Sequence, residues 1–438
     1  MRIKKPLGLF LIVVSVLGYI AFTAFFLFSG ANLGNPVIRG IWIFSFGLTL
    51  IGMIVYVFHR PSQTLPLPEG RVVCVVPTYN EDPKCLESCL DALLKQSCPP
   101  DLIYVVDDGS VVPVKVPTHP TIHLIRLAHN SGKRAAQAAA LRGLDTNYYP
   151  FLLSVDSDSI LAPNAVEALL RQMSDPEVKA CTGVVLASNY SKKLLAKIQD
   201  FNYGVNLILS RSFGRVFSGA LNTTSGACAV YRSEIVCFHL DDYLEHGKRF
   251  SGGDDRRLSI YAMMEGKVLF VPEAVVYTVV PETMRLLWRQ RSRWAMGAWL
   301  AIPWVFFNLP LKRAIYTVQD YVLSILYPLL IITMLLYSLS FNSTLILEYL
   351  AFWLITTYLH TLFYLASYTE DPQMYWRMTK KSNARKKKPS RGVIVLRRFI
   401  DWLYITPLLI LFVQLFTPPC KYLALVKALR RKNVWGTR

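Results

Sequence analysis

The chain has 438 residues, of which 53% are hydrophobic and 18% are charged, and its formal net charge is +19. This apolar content is too high for an ordinary soluble protein. The positive charge is concentrated, because residues 377–398 contain ten lysines and arginines and residues 421–438 contain six, with no acid in either segment. Since the remainder is nearly balanced in charge, we expect no nucleic-acid partner.

Five nearly charge-free runs predict helices in a lipid bilayer. The first is long enough to cross a hydrocarbon core of about 30 Å, and we favour a retained helix over a signal peptide because it lacks a small-x-small cleavage pattern. Lysine and arginine are missing from residues 29–38 and 340–347, so the positive-inside rule places both termini and the central region in the cytoplasm of a multi-pass plasma-membrane protein. The runs are 6–28, 41–58, 321–339, 349–366 and 399–416.

The last apolar stretch, residues 399–429, has an unusual predicted path. Two crossings before the central region and two after it return the chain to the cytoplasm, so this stretch has to begin and end on the same side of the bilayer. It is short for two crossings and contains Pro407, Pro418 and Pro419. We therefore predict a bent or re-entrant helical pair.

The central region alternates strand-like and helix-like patterns. Apolar runs at 71–77, 102–110, 121–127 and 149–155 predict strands, and residues 82–96 and 131–144 predict the helices between them. This alternation predicts a parallel α/β sheet. Ligands of such sheets bind beyond the carboxyl ends of the strands. Three strands end there in polar clusters: residues 78–81, 107–108 and 156–158.

Asp156 and Asp158 are two carboxylates one residue apart, directly after a predicted buried strand. Their burial without partners would cost several kcal/mol. A divalent cation such as Mg²⁺ or Mn²⁺, shared with substrate phosphates, would remove that cost. Taken alone, the same motif is equally compatible with a solvated turn or with Asp158 as a helix N-cap.

Six motifs, read together, indicate a family. VVPTYNED, VVDDGS, SGKRAAQAAAL, VDSDS, SGGDDRRL and RQRSRW follow one another in the order seen in processive family-2 glycosyltransferases. The chain most resembles hyaluronan synthases, through its two leading apolar helices, the GDDR tetrad and the closing WGTR. The resemblance implies a GT-A-type α/β domain inserted between transmembrane helices, with amphipathic interface helices. It also implies an inverting enzyme that needs Mg²⁺ or Mn²⁺, joins UDP-GlcNAc and UDP-glucuronate into hyaluronan, and secretes the growing polysaccharide through its own channel. The sequence leaves the oligomeric state open, with a monomer as one option.

The resemblance also assigns candidate site residues. Asp158 would bind the metal, and Asp255 would be the general base. Asp254 beside it would raise the pKa of Asp255 by like-charge repulsion or, equally, pair with Arg256 or Arg257. The nucleotide sugar would contact Thr78, Tyr79, Glu81, Asp108, Lys133 and Asp156. The diphosphate and the acceptor would contact Gln290, Arg293 and Trp294 of the Q-x-x-R-W motif, and Trp435, Thr437 and Arg438 of a gating tail.

Two of these assignments have plain alternatives. Trp294 also suits an interfacial belt of tryptophan and arginine near a bilayer. The tail also suits a frayed terminus.

The expected domain order follows from the apolar runs and the motifs. Helical spacing over 194–208, with Lys193, Lys197 and Asp200 off the apolar stripe, predicts a further helix lying in the membrane interface, although a core helix fits almost as well. Pro281 would lie in the first turn of the interface helix that carries Q-x-x-R-W. The expected segments are two transmembrane helices (1–60), a cytoplasmic GT-A domain (61–280), interface helices (281–312), further transmembrane helices (313–428) with a basic cytoplasmic loop (376–398), and the tail (429–438).

The sequence leaves the polymer open. Arg289, the Ala-Met-Gly at 295–297 and the turn at 225–228 depart from the usual hyaluronan synthase pattern. A synthase of another β-glycan, such as poly-N-acetylglucosamine, a chitin-like chain or a glucose/glucuronate polymer, is the main alternative. A non-catalytic nucleotide-sensing membrane protein is a third, but such a protein would not need Asp255 as a base.

Overall fold

A computed structural model of the chain describes residues 6–28, 36–59, 62–249, 252–340, 345–368 and 391–430. Its centre is an eight-stranded sheet in the order β3-β2-β1-β4-β7-β6-β8-β5. The strands are β1 (Val72–Thr78), β2 (Leu102–Asp107), β3 (Ile122–Arg126), β4 (Phe151–Ser154), β5 (Ile160–Leu161), β6 (Val178–Ala187), β7 (Ala229–Arg232) and β8 (Lys267–Thr278).

The prediction of a parallel sheet is correct for the first four strands and wrong for the whole sheet. Strands β1 to β4 run parallel, but β7 is antiparallel to both β4 and β6, and β5 is antiparallel to β8. Strand β7 enters from the turn at Ser225 and Cys228, which are joined by an isolated bridge. The sheet is therefore mixed, and β1, β2 and β4 bring their carboxyl ends to one edge.

Helices cover both faces of this sheet. Helix α3 begins after Asp82, whose side chain accepts the N–H of Lys84 at 2.9 Å, and its face of Leu86, Leu90 and Leu93 is buried. Capping by a carboxylate satisfies an otherwise unpaired N–H group of the first turn. The helices of this region are α3 (Pro83–Leu94), α4 (Lys133–Leu141), α5 (Ala165–Gln172), α6 (Leu194–Phe217), α7 (Ser233–Phe238), α8 (Leu240–Arg249) and α9 (Asp254–Glu265).

Apolar helices precede and follow the sheet region. Helix α10 begins after Thr283, whose hydroxyl accepts the N–H of Leu286 at 3.4 Å, so Pro281 precedes the helix rather than lying in its first turn. The remaining helices are α1 (Pro6–Phe28), α2 (Pro36–Val57), α10 (Met284–Asn308), α11 (Leu311–Ser340), α12 (Leu345–Tyr368), α13 (Arg391–Leu411) and α14 (Thr417–Leu429).

Helix α6 joins the sheet to the apolar helices. One face packs on β6 and β8, and the other packs on α2, α12 and α13. The expectation that Asp200 lies off the buried stripe is wrong, because its side chain is fully buried. There Asp200 Oδ2 accepts from the Tyr364 hydroxyl at 2.6 Å and lies 3.4 Å from Arg398 Nη1. The charge of Asp200 is thus compensated by partners from α12 and α13.

The C-terminal helical segment is continuous through residue 429. A π-helical turn, Phe412–Phe416, links α13 to α14. Pro407 lies inside α13, and Pro418 and Pro419 lie at the start of α14, just after the π-helical turn. The described part of this region is therefore one continuous helical segment, and its predicted bend or re-entry into the bilayer stays a prediction. Helix α13 packs on α6 and α14 packs on α10. Residues 391–398, predicted as part of a basic loop, are helical.

Two stretches of the described residues are long and apolar enough to cross a membrane, judged by length and composition: Leu7–Ala24 and Gly392–Leu429. The other predicted runs fall in α2, α11 and α12, which are helical as expected. The multi-pass arrangement stays a prediction.

Candidate active site

Lys133 is the centre of the candidate site. Its ammonium Nζ lies 2.6 Å from Asp156 Oδ1 and 2.8 Å from Asp254 Oδ2. Burial disfavours this ammonium, but the two carboxylates raise the pKa of Lys133 well above its ordinary value, so it remains charged. The sequence predicts that Lys133 contacts the nucleotide. In the structure, Lys133 also connects the loop after β4 to the start of α9.

Asp254 and Asp255 open helix α9 and differ in environment. Burial opposes ionisation of Asp254, yet the charge of Lys133 holds its pKa below the ordinary value. For Asp255, burial and then the charge of Asp254 raise the pKa to about 6. The sequence left two roles open for Asp254, namely repulsion of Asp255 or an ion pair with Arg256 or Arg257. The charge of Asp254 does raise the pKa of Asp255, and the ion pair of Asp254 is with Lys133. A carboxyl group with a raised pKa suits a general base.

The turn before α9 depends on glycine and on an arginine from the SGKR motif. Gly253 has φ +69, a conformation that side-chain-bearing residues rarely adopt. A Cβ on Gly253 would lie 3.7 Å from the Cα of Gly297, in the Ala-Met-Gly stretch of α10. Arg134 Nη2 donates to the carbonyl oxygen of Gly252 at 2.9 Å. Sequence reasoning missed Arg134, although it directly follows Lys133.

The turn at residues 225–228 covers the Lys133–Asp156 ion pair. A Cβ on Gly226 would meet Asp156 Oδ2 at 3.1 Å and Lys133 Nζ at 3.3 Å. The turn was noted only as a departure from the family pattern. Its contact with the ion pair shows that residue 226 limits the space beside Asp156.

Asp158 lies beside Asp156 but has different contacts. Its Oδ1 accepts from the Thr278 hydroxyl at 3.1 Å. Because Lys133 neutralises Asp156, and the Asp156 side chain is only partly buried, the two acids can lie close together without a cation. Within the described residues, no group of three or more histidine, cysteine, aspartate or glutamate side chains is arranged to hold a metal ion.

The edge of the sheet that is predicted to bind the nucleotide is shaped by the loops after β1 and β2. Asp108 is buried and accepts the N–H groups of Ser131 and Gly132, both at 2.8 Å. Asn80 has φ +49, and its backbone N–H donates to the Ser110 hydroxyl at 2.9 Å. Asp108 therefore holds the segment that leads to Lys133, and its predicted contact with the nucleotide remains a prediction.

Three further predicted nucleotide contacts lie at this edge. Tyr79 is 40% exposed, so its ring is open to stacking. Glu81 Oε2 accepts from the Ser157 hydroxyl at 2.8 Å, which ties the loop after β1 to the loop after β4. The hydroxyl of Thr78 is buried and has no hydrogen-bond partner among the described residues.

The Q-x-x-R-W residues lie on α10. Arg293 is exposed, and Trp294 is 41% exposed. The amide oxygen of Gln290 is buried without a hydrogen-bond partner in the described part of the chain. Arg293 and Trp294 are therefore accessible to a ligand. Trp435, Thr437 and Arg438 lie outside the described residues.

The sequence matches known proteins. Residues 68–297 match the family model described as glycosyltransferase like family 2. An N-acetylglucosaminyltransferase of Rhizobium meliloti (strain 1021) is 38% identical over 268 residues, which cover 58% of this chain and 61% of that protein. A hyaluronan synthase of Streptococcus pyogenes is 30% identical over 299 residues, covering 65% and 68%. The chain thus spans about three fifths of the length of the first relative.

One solved structure is similar in outline. The mannosyltransferase PcManGT of Pyrobaculum calidifontis, in complex with GDP-Man and Mn²⁺, superposes with a TM-score of 0.48 at 17% identity, over 88% of this chain and 97% of that one. The family assignment rests on the sequence match, which spans the mixed sheet, the acids at its edge and the start of α10. The chain therefore belongs to the family-2 glycosyltransferases, enzymes with a GT-A-like fold.

Proposed function

We propose that this enzyme is a processive, inverting synthase that transfers N-acetylglucosamine from UDP-GlcNAc to the end of a growing β-glycan. The observation that carries the proposal is the position of Lys133, which contacts Asp156 and Asp254 at once. Asp156 lies at the sheet edge where a nucleotide binds in α/β folds, and Asp255 follows Asp254 at the start of α9. Donor recognition and proton removal are thus joined by one side chain.

The donor would bind along the carboxyl ends of β1, β2 and β4. The exposed ring of Tyr79 would stack on the uracil, and Glu81 and the Thr78 hydroxyl, which has no partner among the described residues, would offer polar contacts. Asp156, restrained by Lys133, would contact the ribose and the sugar. Gly226 would leave room for that sugar, because any side chain there would press on the ion pair.

The donor set at Asp158 fits a divalent cation. Mg²⁺ and Mn²⁺ usually take one or two protein carboxylates and fill their remaining positions with substrate phosphates and water, so a larger cluster of protein ligands is not required. Asp158 would hold the cation, which when bound neutralises the charge that develops on the departing diphosphate. The exposed guanidinium of Arg293 would donate hydrogen bonds to the same diphosphate.

Asp255 would act on the acceptor. Its carboxylate takes the proton from the acceptor hydroxyl while that oxygen attacks C1 of the donor sugar from the face opposite UDP. The α-linked donor becomes a β-linked product. Trp294 would present its ring face to the acceptor sugar, whose C–H groups pack well on aromatic rings.

Hyaluronan is the second candidate product. The hyaluronan synthase relative is matched over 68% of its length, more than the N-acetylglucosaminyltransferase of Rhizobium meliloti, although at lower identity. A synthase of this kind would use UDP-glucuronate in alternation with UDP-GlcNAc. A glucose/glucuronate polymer remains a further alternative.

Donor dependence separates these candidates. We expect purified enzyme with Mn²⁺ to release UDP from UDP-GlcNAc alone and to make a polymer that chitinase or β-N-acetylglucosaminidase digests. A polymer that forms only with both UDP-GlcNAc and UDP-glucuronate, and that hyaluronidase digests, would establish the second candidate. Absence of UDP release with every nucleotide sugar would contradict both.

Metal dependence is expected to run through Asp158. Chelation with EDTA should abolish UDP release, and added Mg²⁺ or Mn²⁺ should restore it. Asp158→Asn should weaken Mn²⁺ binding and lower turnover by roughly 100-fold. Mn²⁺ binding is measured by isothermal titration calorimetry in the presence of UDP. Thr278→Val, which removes only the hydroxyl donor to Asp158, is the matched control and should keep most of the activity. If Asp158→Asn were fully active in EDTA, Asp158 could not be the ligand of a required metal ion.

We further propose the membrane placement that the apolar helices favour. Residues 1–60 and 313–428 would contain the spanning helices in the plasma membrane, residues 61–280 would be cytoplasmic, and residues 281–312 would lie at the interface. The product would pass between the spanning helices. Reaction of single-cysteine variants with an impermeant maleimide, in intact and in opened cells, tests each segment.

A further inference from the structure

Helix α10 carries a second arginine, Arg291, whose surroundings differ from those of Arg293. The guanidinium carbon of Arg291 lies 4.9 Å from the ring centroid of Tyr203, on α6, and 4.9 Å from that of Trp294. The two ring centroids are 6.5 Å apart, at an interplanar angle of 37°. Arg291 and Trp294 are three residues apart, so they share one side of the helix.

The aromatic rings are the main partners of this guanidinium. Nε and Nη2 of Arg291 are enclosed and have no hydrogen-bond partner among the described residues. A cation in this position is stabilised by the negative faces of aromatic rings. Arg293 of the same motif is exposed instead. Arg291 is therefore placed to contact aromatic rings within the protein, whereas Arg293 is placed to contact a ligand.

Trp294 would otherwise be weakly restrained. Its side chain is 41% exposed, and a half-exposed indole has several accessible rotamers. The contact with Arg291, and through it with Tyr203, connects this ring to helix α6. Helix α6 is itself fixed by the sheet on one side and by α2, α12 and α13 on the other.

We propose that Tyr203 and Arg291 are positioning residues that hold Trp294 in the orientation that receives the acceptor sugar. This inference rests on the proposed function, in which Trp294 binds the acceptor. Neither residue touches the substrate in this scheme. Their effect is to keep one ring face available, so that the acceptor does not have to restrict the indole when it binds.

The test compares transfer to chitotetraose with release of UDP to water in the full-length enzyme. Arg291→Met should raise the KM for chitotetraose roughly tenfold, as expected for loss of cation–π contacts, and leave UDP release to water within about twofold. Tyr203→Leu should give the same result. Tyr203→Phe keeps the aromatic ring and should behave like the wild-type enzyme. The double variant Tyr203→Leu with Arg291→Met should be no worse than either single variant, because both remove the same restraint.

A second measurement follows the ring itself. The emission of Trp294 is obtained as the difference between each protein and the same protein carrying Trp294→Phe. Its quenching by iodide should increase in Arg291→Met and Tyr203→Leu and stay unchanged in Tyr203→Phe.

Two results would overturn the inference. One is an unchanged KM for chitotetraose in Tyr203→Leu. The other is an equal loss of transfer and of UDP release to water, because residues that only orient Trp294 toward the acceptor would leave UDP release to water unchanged. Failure of the proposed function is distinguishable, since the unchanged enzyme would then neither elongate chitotetraose nor release UDP.

Discussion

Asp255→Asn is expected to reduce glycosyl transfer by roughly 100- to 10,000-fold, the range found when a general base is removed. Asparagine keeps the shape of the side chain and the contact of its oxygen with the backbone N–H of Arg256, which donates to Asp255 Oδ1 at 2.7 Å. It cannot accept the proton of the acceptor hydroxyl. Turnover is measured by UDP release, and UDP affinity by titration calorimetry, which should change little.

Asp254→Asn is the control for this variant, because it lies one residue away and serves a different purpose. It removes a partner of Lys133 and the like charge beside Asp255, but leaves the base in place. We expect a smaller loss of turnover than for Asp255→Asn. Transfer by Asp255→Asn at the rate of the unchanged enzyme would exclude Asp255 as the base.

The pH profile gives an independent reading of the same residue. As the proposed general base, Asp255 would act only when ionised, and burial together with the charge of Asp254 raises its pKa to about 6. Turnover should therefore fall as the pH decreases through about 6 and level off above it. Asp254→Asn removes a charge that raises the pKa of Asp255. In this variant, turnover should therefore begin to fall at a lower pH. If turnover of Asp254→Asn fell at the same pH as that of the wild-type enzyme, a group other than Asp255 would control the acidic side of the pH profile.

The largest expected effect on stability comes from Arg398. This side chain is fully buried, and it contacts Asp200 at 3.4 Å and the Tyr364 hydroxyl at 3.2 Å. Removing one partner of a buried ion pair leaves the other charge uncompensated, at a cost of about 3–5 kcal/mol. Arg398→Met should therefore lower the melting temperature of the detergent-solubilised protein and shorten its lifetime against protease.

The matched control neutralises both sides of the pair. Asp200→Asn combined with Arg398→Met removes both charges of this pair, so it should recover much of the lost stability. The single variant Asp200→Asn is a poorer control, since it leaves the charge of Arg398 buried without its carboxylate partner. A melting temperature for Arg398→Met equal to that of the unchanged protein would show that the pair does not anchor α13 to α6.

The sequence predicts the local elements better than their partners. The run at 71–77 corresponds closely to β1, because β-branched continuity is a local signal, and the run at 121–127 corresponds closely to β3. The helix predicted over 131–144 is shorter, since Asp108 binds the N–H groups of Ser131 and Gly132 before the helix begins.

Contacts between distant segments were beyond sequence reasoning. Asp200 looked like a solvent-facing acid because its partner, Arg398, is 198 residues away and had been read as part of a basic loop. The pairing of Lys133 with Asp254 likewise joins two motifs that sequence order keeps apart. Spacing along one chain cannot reveal which charges meet across a fold. The reversed strand β7 was missed for the same reason.

The shared contacts of Lys133 bear on how this enzyme can be re-engineered. A single positive charge balances Asp156, at the proposed donor site, and Asp254, beside the proposed general base Asp255. Grafting the SGKR segment or the VDSD segment from a homologue with other donor preferences would therefore also disturb the start of α9. A functional chimera would have to exchange these segments and the GGDD turn as a unit.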